Sequence, residues 1–368
     1  MRVLLTSPSM QAGGAEGVVT MLAAGLADRG HTIGLAAPPG VRDAELLDVP
    51  HARLPIDDHG RAALGAARTT YQLARAIRRF SPDLVHAQNV KSSVTARAAA
   101  VAGHPDGRPP VLATFHGVLP DEYARAARLL HAADHTVCVS ADLQESIVAA
   151  GLGSRRTSLV RNAITAAEPL GAAERAALNE ELGLDGAPVV AIVGRLVPQK
   201  AHERFVAAAA GVAARLPATR FLILGDGPRR AEIEGLVAAA DLGGSVTFTG
   251  VRSDARRVIA RADLLVFSSE WEGLSIAALE ALAAGTPVVS TDVQGMRELL
   301  VESGAGAVVP RDDGTALGDR IVGLLSDEEE RRRMGDAAER MIAAEYSIET
   351  MVDAYEGLYE RLCRSPGR

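Results

Sequence analysis

Ser268-Ser269-Glu270-Trp271-Glu272-Gly273-Leu274-Ser275-Ile276-Ala277-Ala278-Leu279-Glu280-Ala281-Leu282-Ala283-Ala284-Gly285-Thr286-Pro287 reads as a strand end, a loop, a helix and a Gly-Thr-Pro turn into the next strand. Ser275 is a residue type that caps helices, so the helix is predicted to begin there. The backbone N–H groups that follow would face an anion lodged in the loop. Glu272 falls in the loop and Glu280 inside the helix, whose neighbouring Ala and Leu residues mark it as buried. The glutamates' spacing of eight corresponds to about 12 Å if all helical, too far for the carboxylate pair of a retaining glycosidase, which sits about 5 Å apart. Two separate polar contacts are expected instead.

Outward from this stretch, short β-branched runs alternate with Ala/Leu/Arg-rich helical stretches, the pattern of parallel sheets with helical crossovers. Strands are predicted at 189–193, 221–224, 246–249, 264–267, 288–290 and 307–309, and an earlier series at 2–6, 32–36, 84–87, 111–115 and 136–139. Helices are predicted at 16–29 and 70–80. Between the two series, 165–186 has weak periodicity, and Pro169, Gly171, Gly183 and Gly186 are expected to break regular structure there. The fold class is therefore α/β, with two doubly wound, Rossmann-like domains over 1–164 and 165–347. The last helix, 348–364, shows a stripe of Met351, Ala354, Tyr355, Leu358 and Leu362. Ligands of such sheets bind beyond the carboxyl ends of strands, so the motifs just after strands matter most.

The 368 residues exceed what one core usually supports, roughly 250 to 300 residues. Apolar residues at 48% and charged residues at 23% fit a soluble globular protein. The apolar run after Met1 is too short for a signal peptide, no window suits a membrane span, and two cysteines, Cys138 and Cys363, give neither a disulfide framework nor a metal cluster. A cytoplasmic protein is expected. Net charge is −7, divided as 17 basic against 14 acidic residues up to residue 165, and 22 against 32 afterwards. No nucleic-acid partner is expected. Arg61, Arg68, Arg75, Arg78 and Arg79 would line one side of a helix and supply a peripheral membrane contact, the less favoured alternative to an ordinary solvated face.

Val193-Gly194-Arg195-Leu196-Val197-Pro198-Gln199-Lys200 places two cations just after the first strand of the second series. Prepositioned Arg195 and Lys200 would stabilise a departing diphosphate more in the transition state than in the ground state, replacing a divalent metal. A P-loop is excluded, because no Gly precedes Lys200 and no Ser or Thr follows it. Leu224-Gly225-Asp226-Gly227-Pro228 lacks the third glycine of a dinucleotide fingerprint. Gly13 and Gly14, between the first strand and first helix, would let backbone approach a ligand. His116, in Thr114-Phe115-His116-Gly117, ends a strand and would hydrogen-bond a sugar hydroxyl; His86 ends another, as a site residue or a structural one.

Across nearly its whole length the chain resembles the GT-B glycosyltransferases of family 4, retaining enzymes with a Glu-x7-Glu signature in the loop and helix quoted above. The resemblance implies two domains facing a cleft, with the final helix, 348–368, returning to the first. It implies that Glu272 holds hydroxyls of the donor sugar, that N–H groups of Gly273, Leu274, Ser275 and Ile276 meet sugar and phosphate, and that Glu280 binds ribose. By the same resemblance Arg195 and Lys200 face the diphosphate, and Gly13 and Gly14 face the donor phosphates and the acceptor. Gly194 belongs to the cation motif, Gly225 lies near the nucleoside, the backbone at Val251 reads the base, and His116 sits near the reacting sugar. Family members often carry Gly-Phe-Gly where this chain has Gly273-Leu274-Ser275, and glycine where it has Ala201. A nucleotide diphosphate sugar, UDP-linked by preference, is the implied co-substrate and a small hydroxylated molecule the acceptor; no metal or other cofactor is obligatory. The rivals are a nucleotide-sugar epimerase of the same fold, a lipid-linked sugar transferase at the membrane surface, and a non-catalytic nucleotide-sugar binder.

Overall fold

A computed structural model describes residues 1–11, 13–56, 63–104 and 107–364. The chain forms two compact units, Met1–Ala163 joined by the chain from Tyr346 onward, and Ile164–Glu345.

In the first unit the elements run β1 (Arg2–Thr6), α1 (Gly14–Asp28), β2 (Thr32–Ala37), β3 (His51–Pro55), α2 (Ala63–Phe80), β4 (Leu84–Ala87), α3 (Val90–Gly103), β5 (Val111–Phe115), α4 (Tyr123–Leu130), β6 (His135–Cys138), α5 (Ala141–Ala149) and β7 (Thr157–Leu159). All seven strands are parallel, in the order β3-β2-β1-β4-β5-β6-β7. The inner strands are buried at almost every position because helices cover both faces, which is why their apolar runs stand out in the sequence. The edge strands β3 and β7 escape that reading. β3 is polar and only partly buried, and β7 has three residues. Polar side chains start two of the helices: Asn89 accepts the Ser92 N–H at 2.7 Å before α3, and Ser140 accepts that of Leu143 before α5.

The second unit runs α6 (Ala172–Leu182), β8 (Val189–Val193), α7 (His202–Arg215), β9 (Arg220–Leu224), α8 (Arg230–Ala239), β10 (Val246–Gly250), α9 (Ala255–Arg261), β11 (Leu264–Phe267), α10 (Ile276–Ala283), β12 (Val288–Thr291), β13 (Gly306–Val309), α11 (Ala316–Ser326) and α12 (Glu328–Glu345). Its six parallel strands are ordered β10-β9-β8-β11-β12-β13. Helix α6 corrects the expectation of an irregular junction. The glycines expected to break structure bracket it instead: Glu174 turns back to accept the Gly171 N–H at 3.1 Å, and Gly183 ends the helix in the left-handed region at φ 62°.

Helix α13 (Ile348–Arg364) returns to the first unit. Its buried stripe is Met351, Val352, Tyr355, Leu358 and Tyr359, whereas the expected Ala354 is exposed and Leu362 only partly covered. The difference follows from what the tyrosines bind. Tyr359 Oη lies 2.8 Å from His86 Nδ1, His86 Nε2 lies 2.7 Å from Thr114 Oγ1, and Thr114 Oγ1 lies 3.1 Å from Tyr355 Oη. All four residues are buried. His86 thus takes the structural of its two roles, anchoring α13 to β4 and β5. At the surface of the same helix Glu356 joins Arg29 at 2.9 Å and His31 at 2.7 Å.

Of the basic helix, Arg61 lies outside the described residues, while Arg68, Arg75, Arg78 and Arg79 are exposed on α2. No helix among the described residues is long and apolar enough to cross a membrane.

Replacing Tyr359 by Phe strands the buried Nδ1 of His86, which costs about 1–3 kcal/mol. We expect the denaturation midpoint of the variant to fall accordingly; an unchanged midpoint would remove His86–Tyr359 from the account of this helix.

Candidate functional site

In the second sheet the strand order reverses between β8 and β11, which pair directly. The loops leaving their carboxyl ends, 194–201 and 268–275, therefore flank the crevice where α/β sheets hold ligands. Hydrogen bonds from the first segment and from the start of α7 hold the second in place. Glu270 N–H donates to Gln199 O at 2.8 Å, Gln199 Nε2 to Trp271 O at 3.1 Å, and Ser268 Oγ to Lys200 O at 2.9 Å. Arg204, in the first turn of α7, donates to Ser268 O at 2.5 Å and to Glu270 Oε1 at 2.8 Å.

At the centre of this seam Lys200 Nζ and Ser269 Oγ both donate to Glu272 Oε1, each at 2.5 Å. Glu272 is only 5% exposed, so its charge is stabilised by these partners rather than by water. Both donors go to Oε1, and Oε2 takes no part in these two bonds. The Lys200 ammonium also lies 5.7 Å from the centre of the Phe267 ring. Arg195 is exposed and forms no ion pair among the described residues. Glu280 stands apart from Glu272 and accepts from Arg256 Nε at 2.8 Å.

The cation loop is positioned by backbone packed on backbone. Gly225, at φ 131°, lies so close to the Gly194 carbonyl that a Cβ built on it would meet that oxygen at 2.1 Å. Gly194 N–H donates to Leu224 O at 2.9 Å, and Gly225 N–H to Gly250 O at 2.8 Å. Gly194 and Gly225 thereby shape the loop. Val251 is 74% exposed at the next turn, which Arg252 fixes by pairing with Asp254 at 2.7 Å and Glu181 at 2.6 Å.

Ser275 occupies the N-cap position of α10, but its hydroxyl makes no capping bond, contrary to expectation. Leu274 is buried beside it, Gly273 and Ser275 are partly exposed, and Ile276 opens the helix. Sequence reasoning passed over Ser269, Arg204 and Arg256. Ser269 was open to detection as a hydroxyl three residues before Glu272 at the end of an apolar strand; the arginines carry no local signal.

In the first unit the order reverses between β1 and β4. Gly13 is the extended N-cap of α1 and Gly14 its first residue, so backbone N–H groups alone begin that helix. His116 follows β5; its Nε2 is buried without a partner, and burial lowers its pKa to about 4. Gln88, just after β4, likewise has a buried Oε1 without a partner. In the second unit His202, the first residue of α7, is buried with Nε2 unpaired and its pKa lowered to about 4 by burial, then by Lys200 and Arg229. No cluster of three metal-ligating residues occurs among the described residues.

Residues 174–341 match the profile of Glycosyl transferases group 1, and residues 12–168 that of Glycosyltransferase Family 4. An alpha-D-kanosaminyltransferase of Streptomyces kanamyceticus is 36% identical over 192 residues, 52% of this chain and 50% of that one, so the match spans about half of that relative. A GDP-mannose-dependent alpha-mannosyltransferase of Mycobacterium tuberculosis is 30% identical over 308 residues, covering 79% of this chain and 76% of its own. The crystal structure of Anabaena HepE in complex with UDP-glucose superposes with a TM-score of 0.86 over 98% of this chain and 100% of that chain, at 20% identity. That likeness identifies the fold as GT-B.

Two outcomes follow from this geometry. Lys200→Met alone leaves the Glu272 charge buried, and breaking such pairs costs about 3–5 kcal/mol; the double variant Lys200→Met/Glu272→Gln should be more stable than Lys200→Met. A double-mutant cycle by urea denaturation that finds no coupling removes the ion pair. Secondly, His86 is held at about 3, and His116, His135 and His202 at about 4, chiefly by burial. These rings stay neutral in the native state while the unfolded chain takes up protons below about pH 6.5. Stability from this source is complete above pH 6.5 and should fall towards pH 4. Denaturation midpoints that stay level between pH 7 and 5 would contradict the burial of these rings.

Proposed function

The chain belongs to glycosyltransferase family 4, the glycosyl transferases group 1, and from that premise we propose that it moves a hexose or N-acetylhexosamine from a UDP-sugar to a hydroxyl of a small acceptor, with retention at the anomeric carbon. The observation that carries this reading is the Lys200–Ser269–Glu272 cluster beside Arg195, at the strand-order reversal of the second sheet.

In this reading the donor diphosphate lies against Arg195, Lys200 and the N–H groups of Gly273 to Ile276. As the bond from the anomeric carbon to the phosphate oxygen breaks, negative charge accumulates on the diphosphate, and the two cations stabilise it without a metal. The acceptor oxygen bonds to the same face of the anomeric carbon, and its proton passes to the departing phosphate oxygen. No side chain acts as nucleophile. Glu272, with Oε1 already fixed, holds donor-sugar hydroxyls through Oε2 and keeps Lys200 aligned. Glu280 binds the ribose and is oriented by Arg256, while the backbone at Gly225 and Val251 meets the nucleoside.

In the first unit, Gly13 and Gly14 present the bare backbone at the start of α1 to a ligand. His116, uncharged at neutral pH, orients a hydroxyl of the reacting sugar rather than serving as a cationic acid. HepE was crystallised with UDP-glucose and one relative is named for GDP-mannose; UDP is kept as our preferred base. The kanosaminyltransferase relative favours an acceptor from antibiotic biosynthesis, with a cell-envelope intermediate as the alternative. We place the reaction in the cytoplasm.

The experiment screens UDP-, GDP- and ADP-sugars by thermal shift and then by turnover with hydroxylated acceptors. Losing one preorganised charge-stabilising donor typically costs about 10²–10³-fold in kcat. Arg195→Ala/Lys200→Ala should lower transfer by at least about 10³-fold while circular dichroism stays native, and the product anomer should match the donor by NMR. Undiminished transfer in that variant, or a catalytic yield of donor epimer without acceptor, would overturn the reading.

A further inference from the structure

Opposite the loops described above, at the amino-terminal edge of the second sheet, lies a cavity of about 290 Å3. Its position is set by Pro188 and Asp263, which directly precede β8 and β11, and its polar lining comes from Arg175, Asn179, Arg261, Asp263 and Arg331. Three guanidiniums and one carboxylate give this small space a net charge of +2.

The charges are arranged by the fold rather than scattered on a surface. Arg261 is 95% buried: Nε donates to Asn179 Oδ1 at 2.5 Å and one terminal nitrogen to Ala187 O at 3.1 Å. The other terminal nitrogen lies 3.6 Å from Asp263 Oδ2. That oxygen also accepts the Val189 N–H at 2.8 Å, so the sole carboxylate of the lining is shared. Arg331 is braced by one nitrogen on the Leu324 and Leu325 carbonyls at the end of α11. Arg175 projects from the exposed face of α6, and neighbouring Glu174 is committed to Arg257 and the Gly171 N–H. Burial lowers the proton affinity of Arg261; Asp263 opposes that shift, and Arg175 adds to it.

We propose that this cavity binds a small phosphate-bearing anion, inorganic phosphate or a small phosphate monoester. A tetrahedral dianion matches the net charge and offers several acceptor oxygens to planar guanidinium forks, which a chloride ion does not. Bound there, it ties α6 to α9, β11 and α12 and stabilises the second unit. The site is independent of the donor loops.

The full chain is heated in inorganic phosphate, in glycerol 3-phosphate, and in sodium chloride at matched ionic strength. Saturating phosphate should raise the midpoint of the wild type by about 3 °C over chloride, and by as much in Lys200→Ala, which weakens the donor loops. Arg175→Gln and Arg175→Glu should need at least about tenfold more phosphate for the same shift, consistent with about 1.4 kcal/mol or more for a charge-assisted contact, while retaining wild-type sugar transfer. The tighter of the two probes identifies whether the natural ligand is free phosphate or a monoester. An equal response in the Arg175 variants, a response lost in Lys200→Ala, or none in the wild type would overturn the proposal. Because those variants leave transfer intact, failure here is separable from failure of the transferase reading.

Discussion

A carboxylate withdrawn from water organises the second unit. Glu272 needs compensating donors where it lies, and the neighbouring strand end supplies one that carries a charge. Lys200 does so across 72 residues of sequence, and Ser269 adds a hydroxyl to the same oxygen. Holding Lys200 in place requires the turn after β8 to be fixed, and this is achieved by the Gly194–Gly225 approach and the bonds from Gln199 and Arg204. The ion pair, the glycine contact and the stitched loops are therefore one structural decision. A single carboxylate serves both to align a cation and to keep one oxygen available.

Much of the architecture was legible because parallel strands covered on both faces are written as unbroken apolar runs, as in Val189–Val193 and Leu264–Phe267. What stayed hidden had weaker local signals. Edge strand β3 mixes His51 and Arg53 with its apolar residues, and α6 was masked by the same glycines that cap it. The stripe on α13 was misplaced because Tyr355 was read as an ordinary core residue and Tyr359 was left out, whereas both tyrosines face polar partners on β4 and β5. At the site, the loop after β11 and the two cations were recognisable from residue type and position. That Lys200 and Glu272 meet was not, since no local pattern links positions so far apart. Nor does Gly225 reveal from sequence that its tight neighbour is another backbone rather than a ligand.

The first unit treats its buried polar groups in two ways. His86 closes a network with both ring nitrogens satisfied, so it rigidifies the sheet where the last helix docks. His116 and Gln88, one step beyond the ends of adjacent strands, keep buried polar atoms unpaired. Unpaired buried groups are costly and tend to be retained where a bound molecule can complete them. The contrast between satisfied and unpaired groups falls within a few residues of the same two strands.

The discontinuity of the first unit also bears on how the protein is made. Met1–Ala163 emerges from the ribosome well before Tyr355 and Tyr359, so His86 and Thr114 must wait through synthesis of the whole second unit before their partners arrive. At about 5–20 residues per second that interval is on the order of ten to forty seconds. The nascent first unit carries an unfinished polar patch for that time, and its final consolidation waits for α13.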